Sequence, residues 1–228
     1  MQATSVLTLH RTSIGKKAIM AVTGLIGIGY VTIHMYGNLK VFQGQEYFNH
    51  YAESLRDIGA PIFSHLHLLT IARVVLLAAI LLHVWAAVTL YNQARKARPQ
   101  SYAVKRTVQA NYAAKTIRYG GIVLFLFILF HLAQLTWGVI DPNNFVRTDP
   151  YSNVIHSFQS IPVTIFYLIA LAALGLHLYH GNWSMFQTLG ILNRKYDPYV
   201  RGFALLLALV IPIGFAAVPL AIMFGFVQ

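Results

Sequence analysis

Five long apolar stretches dominate the chain. They run roughly from 18 to 37, 67 to 91, 119 to 140, 162 to 186 and 203 to 226. A helix needs about 20 apolar residues to cross the hydrocarbon core of a bilayer, and the polar connections are too short for a separate soluble domain. We therefore predict an all-α membrane protein, with residues 1–228 forming a single five-transmembrane-helix bundle.

Composition agrees with this prediction. Hydrophobic residues make up 57% of the chain and charged residues 10%, which is too apolar for a soluble domain of this length. The chain contains no cysteine. This excludes disulfides, iron-sulfur clusters held by thiolates and the thioether attachment of c-type haem.

Lysine and arginine fall mainly on one side of the predicted bundle. Those at the N-terminus and in the second and fourth loops are Arg11, Lys16, Lys17, Arg95, Lys96, Arg98, Lys105, Arg106, Lys115, Arg118, Arg194, Lys195 and Arg201. Because basic residues concentrate in cytoplasmic loops, we predict a multi-pass protein of the cell (inner) membrane, with the N-terminus cytoplasmic and the C-terminus outside. The net charge of +11 then reflects topology and a docking face for a cytoplasmic partner, not binding to nucleic acid.

Four histidines lie inside four of the apolar stretches, at intervals of 49, 48 and 46 residues; they are His34, His83, His131 and His177. At the helical rise, His34 and His131 lie ~24 and ~18 Å from the inner edge of their spans, whereas His83 and His177 lie ~12 Å from it. The first two share the outer half of the membrane and the last two the inner half. An ionisable side chain at such depth usually faces the bundle interior and has a function.

Two imidazoles at one depth on facing helices are what a six-coordinate haem requires. We therefore predict two b-type haems, an outer one between His34 and His131 and an inner one between His83 and His177. Two haems stacked in this way form an electron path across the membrane.

Other interpretations use the same residues differently. A single histidine could bond to a neighbouring helix as structural support, and a haem-free transporter or structural protein stays open as an alternative. No lysine lies mid-span, which argues against a retinal pigment, because retinal binds through a lysine Schiff base. No acid lies in any span, which argues against a proton-coupled transporter.

His180, three residues after His177, shares nearly the same helix face and could be the ligand instead. Arg73 lies well inside the second span, where it suits a haem propionate or a quinone, or snorkels to the interface.

The remaining histidines are weaker candidates. His10, His50 and His156 fall in termini or loops, and His65 and His67 flank the outer start of the second span. We expect the first three to be solvated and the last two to lie at the membrane interface.

Four segments together resemble a known family: SIGKKAIMAVTGLIGIGYVTIHMYGNLKVF, LLHVWAAVTLY, LFHLAQLTW and HLYHGNWSMFQTLGI. The chain resembles, over nearly its whole length, the single-subunit dihaem cytochrome b membrane anchor of succinate dehydrogenases and fumarate reductases, the cytochrome b558 type. In that family the first histidine of an H-x-x-x-G-x-W-S stretch is a haem ligand, which corresponds to His177. The other family ligands match His34, His83 and His131, with the same pairing as the depth argument.

The resemblance implies a subunit of succinate:quinone oxidoreductase, respiratory complex II of the tricarboxylic acid cycle. A flavoprotein subunit with FAD would oxidise succinate, and an iron-sulfur subunit on the cytoplasmic face would pass electrons to the inner haem. The outer haem would pass them to a membrane quinone, commonly menaquinone in this type. The anchor itself would carry no succinate chemistry and would otherwise contact only membrane lipid.

Some features depart from the family or leave alternatives open. Some dihaem fumarate reductases carry a glutamate two residues before the fourth ligand, where this chain has Gly175. The quinone site has no motif, and Arg73, Tyr36, Lys40, His50 and Glu53 could all line it. The anchor of a hydrogenase, formate dehydrogenase or nitrate reductase would also show paired histidines.

Overall fold

The computed structural model describes residues 10–97 and 112–228, with side chains in the second range described from residue 117 onward. The described residues form seven α-helices, one 3-10 helix and no strand. The α-helices are α1 (Ser13–Asn38), α2 (Gln45–Ser54), α3 (His67–Lys96), α4 (Tyr112–Leu135), α5 (Pro150–Gln159), α6 (Ile161–Thr188) and α7 (Asp197–Met223). Arg98, Lys105 and Arg106 of the predicted basic loop, and the side chain of Lys115, lie outside the described residues.

Five of these helices are long and apolar enough to cross a membrane, namely α1, α3, α4, α6 and α7. The prediction of an all-α membrane protein with five spans is therefore confirmed. Isolated segments in a bilayer must satisfy their backbone hydrogen bonds internally, which a helix does. Below, "outer" and "inner" name the two ends of the bundle according to the predicted topology.

The helices do not begin and end where the predicted apolar spans do. The third span was expected to reach residue 140, but α4 ends at Leu135 because Gly138 adopts a left-handed backbone with φ of 68° and turns the chain. The fifth span was expected to start at 203, but α7 begins at Asp197, followed by a proline in its first turn. Proline is well tolerated there because its missing N–H would have no helical partner.

Helix α6 lies at the centre of the packing. It packs on α4 on one side and on α7 on the other, while α3 packs on α1. Helix α1 also contacts α6 and α7. No comparable contact joins α1 to α4 or α3 to α6 among the described residues, so the helices that carry the paired histidines are not packed directly on each other.

The contact between α6 and α7 is closest at Gly175. A Cβ atom added there would lie 3.0 Å from the carbonyl oxygen of Ala208 and 3.5 Å from Cγ of Pro212. Pro212 has no N–H to donate to that carbonyl, which is four residues earlier in α7. The space in which a side chain at position 175 would begin is therefore filled by the backbone of α7.

The short helices α2 and α5 are joined at the outer end through Asp149. This carboxylate caps α5 by accepting from the Ser152 N–H at 3.1 Å, and it also accepts from the side chains of Asn49 at 2.7 Å and Gln45 at 2.8 Å. Partial burial acts to raise the pKa of Asp149, but these hydrogen bonds outweigh it and hold the pKa below its usual range. Helix α2 lies in the connection between the first two predicted spans, and α5, which was not predicted, lies between the third and the fourth.

Candidate functional site

The four histidines of the apolar stretches lie in two pairs. The rings of His34 on α1 and His131 on α4 are centred 5.8 Å apart and nearly perpendicular, at 80°. The rings of His83 on α3 and His177 on α6 are centred 6.1 Å apart, at 54°. The pairs are those expected from depth, and each joins two helices that do not otherwise pack together.

In the outer pair, His131 is held by a hydrogen-bonded chain. Its Nδ1 lies 3.2 Å from the hydroxyl of Tyr167, and that hydroxyl donates to Oε1 of Gln134 at 2.9 Å. Tyr167 is buried among aromatic rings, including those of Phe127 and Phe158. This environment fixes the hydroxyl, because a buried ring packed on several sides cannot rotate freely.

His34, the other member of the outer pair, is held mainly by ring contacts. Tyr30, one turn earlier on α1, stacks on it at 5.2 Å with the planes 11° apart, and Phe215 of α7 lies 5.6 Å away. The Asn38 amide donates to the His34 carbonyl at 2.8 Å and lies 3.4 Å from Nε2. The longer contact is weak by its distance.

In the inner pair, His83 is bonded to α1. Its Nδ1 lies 3.1 Å from the hydroxyl of Thr23, which donates to the Ile19 carbonyl at 2.7 Å. A Cβ atom at Gly24 would lie 3.5 Å from the His83 ring. Gly24 therefore lies beside the His83 ring, where a Cβ atom would make an ordinary van der Waals contact.

His177 differs from the other three. Its Nδ1 is buried and has no hydrogen-bond partner among the described residues. Such an atom is costly to bury unless it is bonded. His177 is therefore the member of the inner pair whose Nδ1 no described side chain satisfies.

The structure also separates His177 from His180. His180 lies three residues further along α6, and the nearest ring recorded for it is Trp183, centred 6.4 Å away. Only His177 of the two forms a ring contact with His83. The geometry therefore favours His177, as the motif did.

The spacing within each pair can be compared with the spacing that a haem requires. A haem supplies four ligands itself and needs only two from the protein. Two imidazoles bound to one metal from opposite sides, each at about 2 Å, have ring centres roughly 6 Å apart, close to the separations in both pairs.

Space on the histidine-bearing faces agrees with a bulky planar group. A Cβ atom at Gly27 on α1 or at Gly181 on α6 would meet no atom within 4 Å. Gly27 lies seven residues before His34, and Gly181 lies four residues after His177, so each shares the face of its histidine. The residues present thus fit two b-type haems.

The residues predicted to line a quinone site have fewer contacts with the histidine pairs. Arg73 is exposed on the outer half of α3, close enough to Tyr30 to interact electrostatically with it. The Lys40 ammonium lies over the rings of Tyr36 and Tyr47, at 4.6 and 5.2 Å.

The two quinone candidates on α2 lie apart from these. Glu53 is paired with Arg56, and His50 is exposed. Of these candidates, Arg73 lies within electrostatic range of Tyr30, the residue that stacks on His34.

The remaining histidines agree with the expectation of solvated or interfacial positions. His65 lies 2.8 Å from Asp57, and His156 lies 3.1 Å from Asp141, both on the exposed outer side. His10 is exposed, and His67 begins α3. None of them lies in either pair.

The polar groups around the histidines were not predicted; they are Thr23 beside His83, Tyr167 beside His131, and Gln134, which accepts from Tyr167. Two of these three residues could have been found from their spacing to a candidate histidine. Thr23 lies 11 residues before His34, about three turns, and Gln134 lies three residues after His131, so each shares a face with a candidate histidine. Tyr167 has no such relation to His131, since it comes from another helix.

Comparison of the chain with protein-family models, curated proteins and solved structures gives no match. The functional argument therefore depends on the residues and their geometry.

Proposed function

We propose that this chain is the dihaem cytochrome b membrane-anchor subunit of a succinate:quinone oxidoreductase. The observation that carries the proposal is the pair of histidine contacts, at 5.8 and 6.1 Å, between helices that are otherwise apart. The resemblance of the four sequence segments to the cytochrome b558 family supports the same conclusion.

In this proposal His34 and His131 would hold the outer haem, and His83 and His177 the inner one. When bound, each haem would supply a reversible one-electron iron couple. The chain's own residues fix the imidazoles at two depths and surround them with apolar side chains that exclude water. Removing water lowers the local dielectric, so nearby fixed charges act more strongly on an iron centre.

Arg73 is proposed to act on the outer site. Its guanidinium would compensate a haem propionate or the developing charge of a quinol, since arginine forms bidentate bonds with carboxylates. Its position on the outer half of α3, within electrostatic range of Tyr30, which stacks on His34, supports this assignment.

The charge of the inner end supports a soluble partner there. Only one acid, Asp197, is predicted to lie on that side, and it already accepts from Arg201 at 2.7 Å and from Trp183 at 3.0 Å. In the part of the chain that the structure describes, no ion pair joins another basic residue of the inner face to an acid. An iron-sulfur subunit with an acidic docking surface, itself bound to the FAD flavoprotein, would complement them, and menaquinone would accept electrons at the other end.

Purification of the native complex in mild detergent tests the proposal. We expect two b haems per chain, two separate steps in a redox titration, and reduction of both haems by succinate when flavoprotein and iron-sulfur subunits co-purify. Two haems without FAD and without reduction by succinate would identify the anchor of another respiratory complex. Absence of haem from the purified complex would refute the proposal altogether.

A further inference from the structure

Each histidine pair contains one ring whose Nδ1 meets a hydroxyl group from a different helix. In the inner pair this is His83 with Thr23 of α1, at 3.1 Å. In the outer pair it is His131 with Tyr167 of α6, at 3.2 Å. The two pairs thus share one arrangement, although the hydroxyls come from different residue types on different helices.

The direction of these hydrogen bonds follows from the proton that each hydroxyl carries. Thr23 donates its single proton to the carbonyl of Ile19 at 2.7 Å, and Tyr167 donates its own to Gln134 at 2.9 Å. Each oxygen can then only accept from the histidine. This arrangement favours the tautomer of His83 and of His131 that carries the proton on Nδ1 and leaves the lone pair on Nε2.

We propose that Thr23 and Tyr167 are positioning residues that fix the tautomer and ring orientation of one axial histidine in each pair. This inference rests on the proposed function, since it assigns the free Nε2 to haem iron. Metal-bound histidines commonly donate their other N–H to an oxygen, which orients the ring and raises its basicity.

The partners in each pair have no such hydroxyl. His34 is held by stacking on Tyr30, and Nδ1 of His177 has no partner among the described residues. One ligand of each pair thus meets a hydroxyl group from a neighbouring helix, while the other does not. Loss of the fixing hydroxyl should therefore affect one pair and leave the other unchanged.

The chain provides matched controls for both hydroxyls. Thr32 lies on the same helix as Thr23 and donates to the Ile28 carbonyl at 2.8 Å without touching a histidine. Tyr151 is a buried tyrosine whose hydroxyl donates to the Gln228 carbonyl at 2.9 Å. Thr32→Val and Tyr151→Phe therefore remove one hydroxyl each, away from both pairs.

The experiment measures haem content and both midpoint potentials in the purified complex, with electron paramagnetic resonance of the oxidised haems. Removing the hydroxyl makes the imidazole a weaker donor, which favours reduced iron. Thr23→Val should raise the potential of the inner haem only, and Tyr167→Phe that of the outer haem only. The variant should also bind the affected haem about 10- to 100-fold more weakly, as measured by transfer of that haem to a haem-binding scavenger.

Thr23→Ser should restore the inner haem, because it returns the hydroxyl without the methyl group, while the two controls should match the wild type. If both haems are present and neither potential nor resonance signal changes in Thr23→Val and Tyr167→Phe, the inference is wrong and the proposed function stands. If the controls shift the potentials equally, a general packing effect explains the data and the inference is also wrong. A wild-type complex without haem would refute the proposed function and the inference with it.

Discussion

Substitution of Gly175 by alanine tests how closely α6 and α7 must approach to hold the inner histidine in place. Gly175 lies two residues before His177. The added Cβ atom would lie 3.0 Å from the Ala208 carbonyl oxygen, whereas carbon and oxygen atoms in close helix contacts are typically about 3.3–3.6 Å apart. Helix α7 would have to move by a few tenths of an ångström, or α6 would have to move away from it.

Two opposing effects decide the magnitude. Replacing a helical glycine with alanine stabilises a helix by about 0.8–1.0 kcal/mol. Overpacking a close contact costs typically about 1–3 kcal/mol. Gly202→Ala is a suitable control, because Gly202 is an exposed residue of α7 and a Cβ atom there would meet nothing within 4 Å. The difference between the two variants isolates the overpacking cost.

Thermal unfolding in detergent measures this difference. A change of 1 kcal/mol corresponds to roughly 2–4 °C in a chain of this size, so we expect Gly175→Ala to unfold about 2–12 °C below Gly202→Ala. The inner haem should be released first on heating, since His177 lies beside the contact. Equal melting temperatures would show that α6 and α7 are not closely fitted at Gly175, and the argument against a side chain at this position would fail with it.

Three further perturbations address the site and its outer surface. His177→Ala should remove the inner haem and leave the outer one, whereas His180→Ala should keep both in the optical spectrum, because only His177 contacts His83; loss of a haem from His180→Ala would contradict this. Arg73→Gln should lower the outer haem's midpoint potential or slow quinone turnover, and no change in either would mean that Arg73 only snorkels. Asp149→Ala should destabilise the chain by about 0.5–2 kcal/mol at pH 7, as for loss of a helix cap. Because the pKa of Asp149 is lowered in the folded chain, this contribution is present above the unfolded pKa of ~3.9 and is lost as the pH falls through the lower folded value. A stability difference of equal size in unfolding at roughly pH 2 would therefore contradict it.

The five spans could be predicted because a bilayer leaves the chain few choices. A run of about 20 apolar residues must cross as a helix to satisfy its backbone. The ends of the helices were harder to predict from the sequence. Hydropathy indicates which residues contact hydrocarbon, and a helix can extend beyond the hydrocarbon layer. Helix α7 begins at Asp197, where an ion pair with Arg201 one turn later stabilises polar residues in helical form.

Helix α5 illustrates a local signal that hydropathy alone does not detect. It has only 10 residues and spans no membrane. Its start is nevertheless encoded, since Asp149 is an N-cap followed directly by Pro150 in the first turn. An acidic cap with proline at the first helical position is a known start signal, so capping chemistry would have predicted this helix where apolar periodicity did not.

The pairing of the histidines depended only on depth, which the constant helical rise supplies from residue numbers. Their hydrogen-bond partners depend on the rotation of each helix about its own axis, which residue numbers alone do not fix. Thr23 and Thr32 show the difference. They are nine residues apart, which at about 100° per residue places them on opposite sides of α1, and only Thr23 reaches a histidine.

Hydropathy could not have chosen between these two threonines. Lipid tails are about as apolar as the side chains of a neighbouring helix, so the distribution of apolar residues around a membrane helix says little about which face is inside. His34 provides the missing reference, because it marks one face of α1, and Thr23 lies within about 20° of it after 11 residues while Thr32 does not. An intramembrane histidine therefore identifies the interior face of its helix, and polar residues on that face are the ones to test as partners of the next histidine along the bundle.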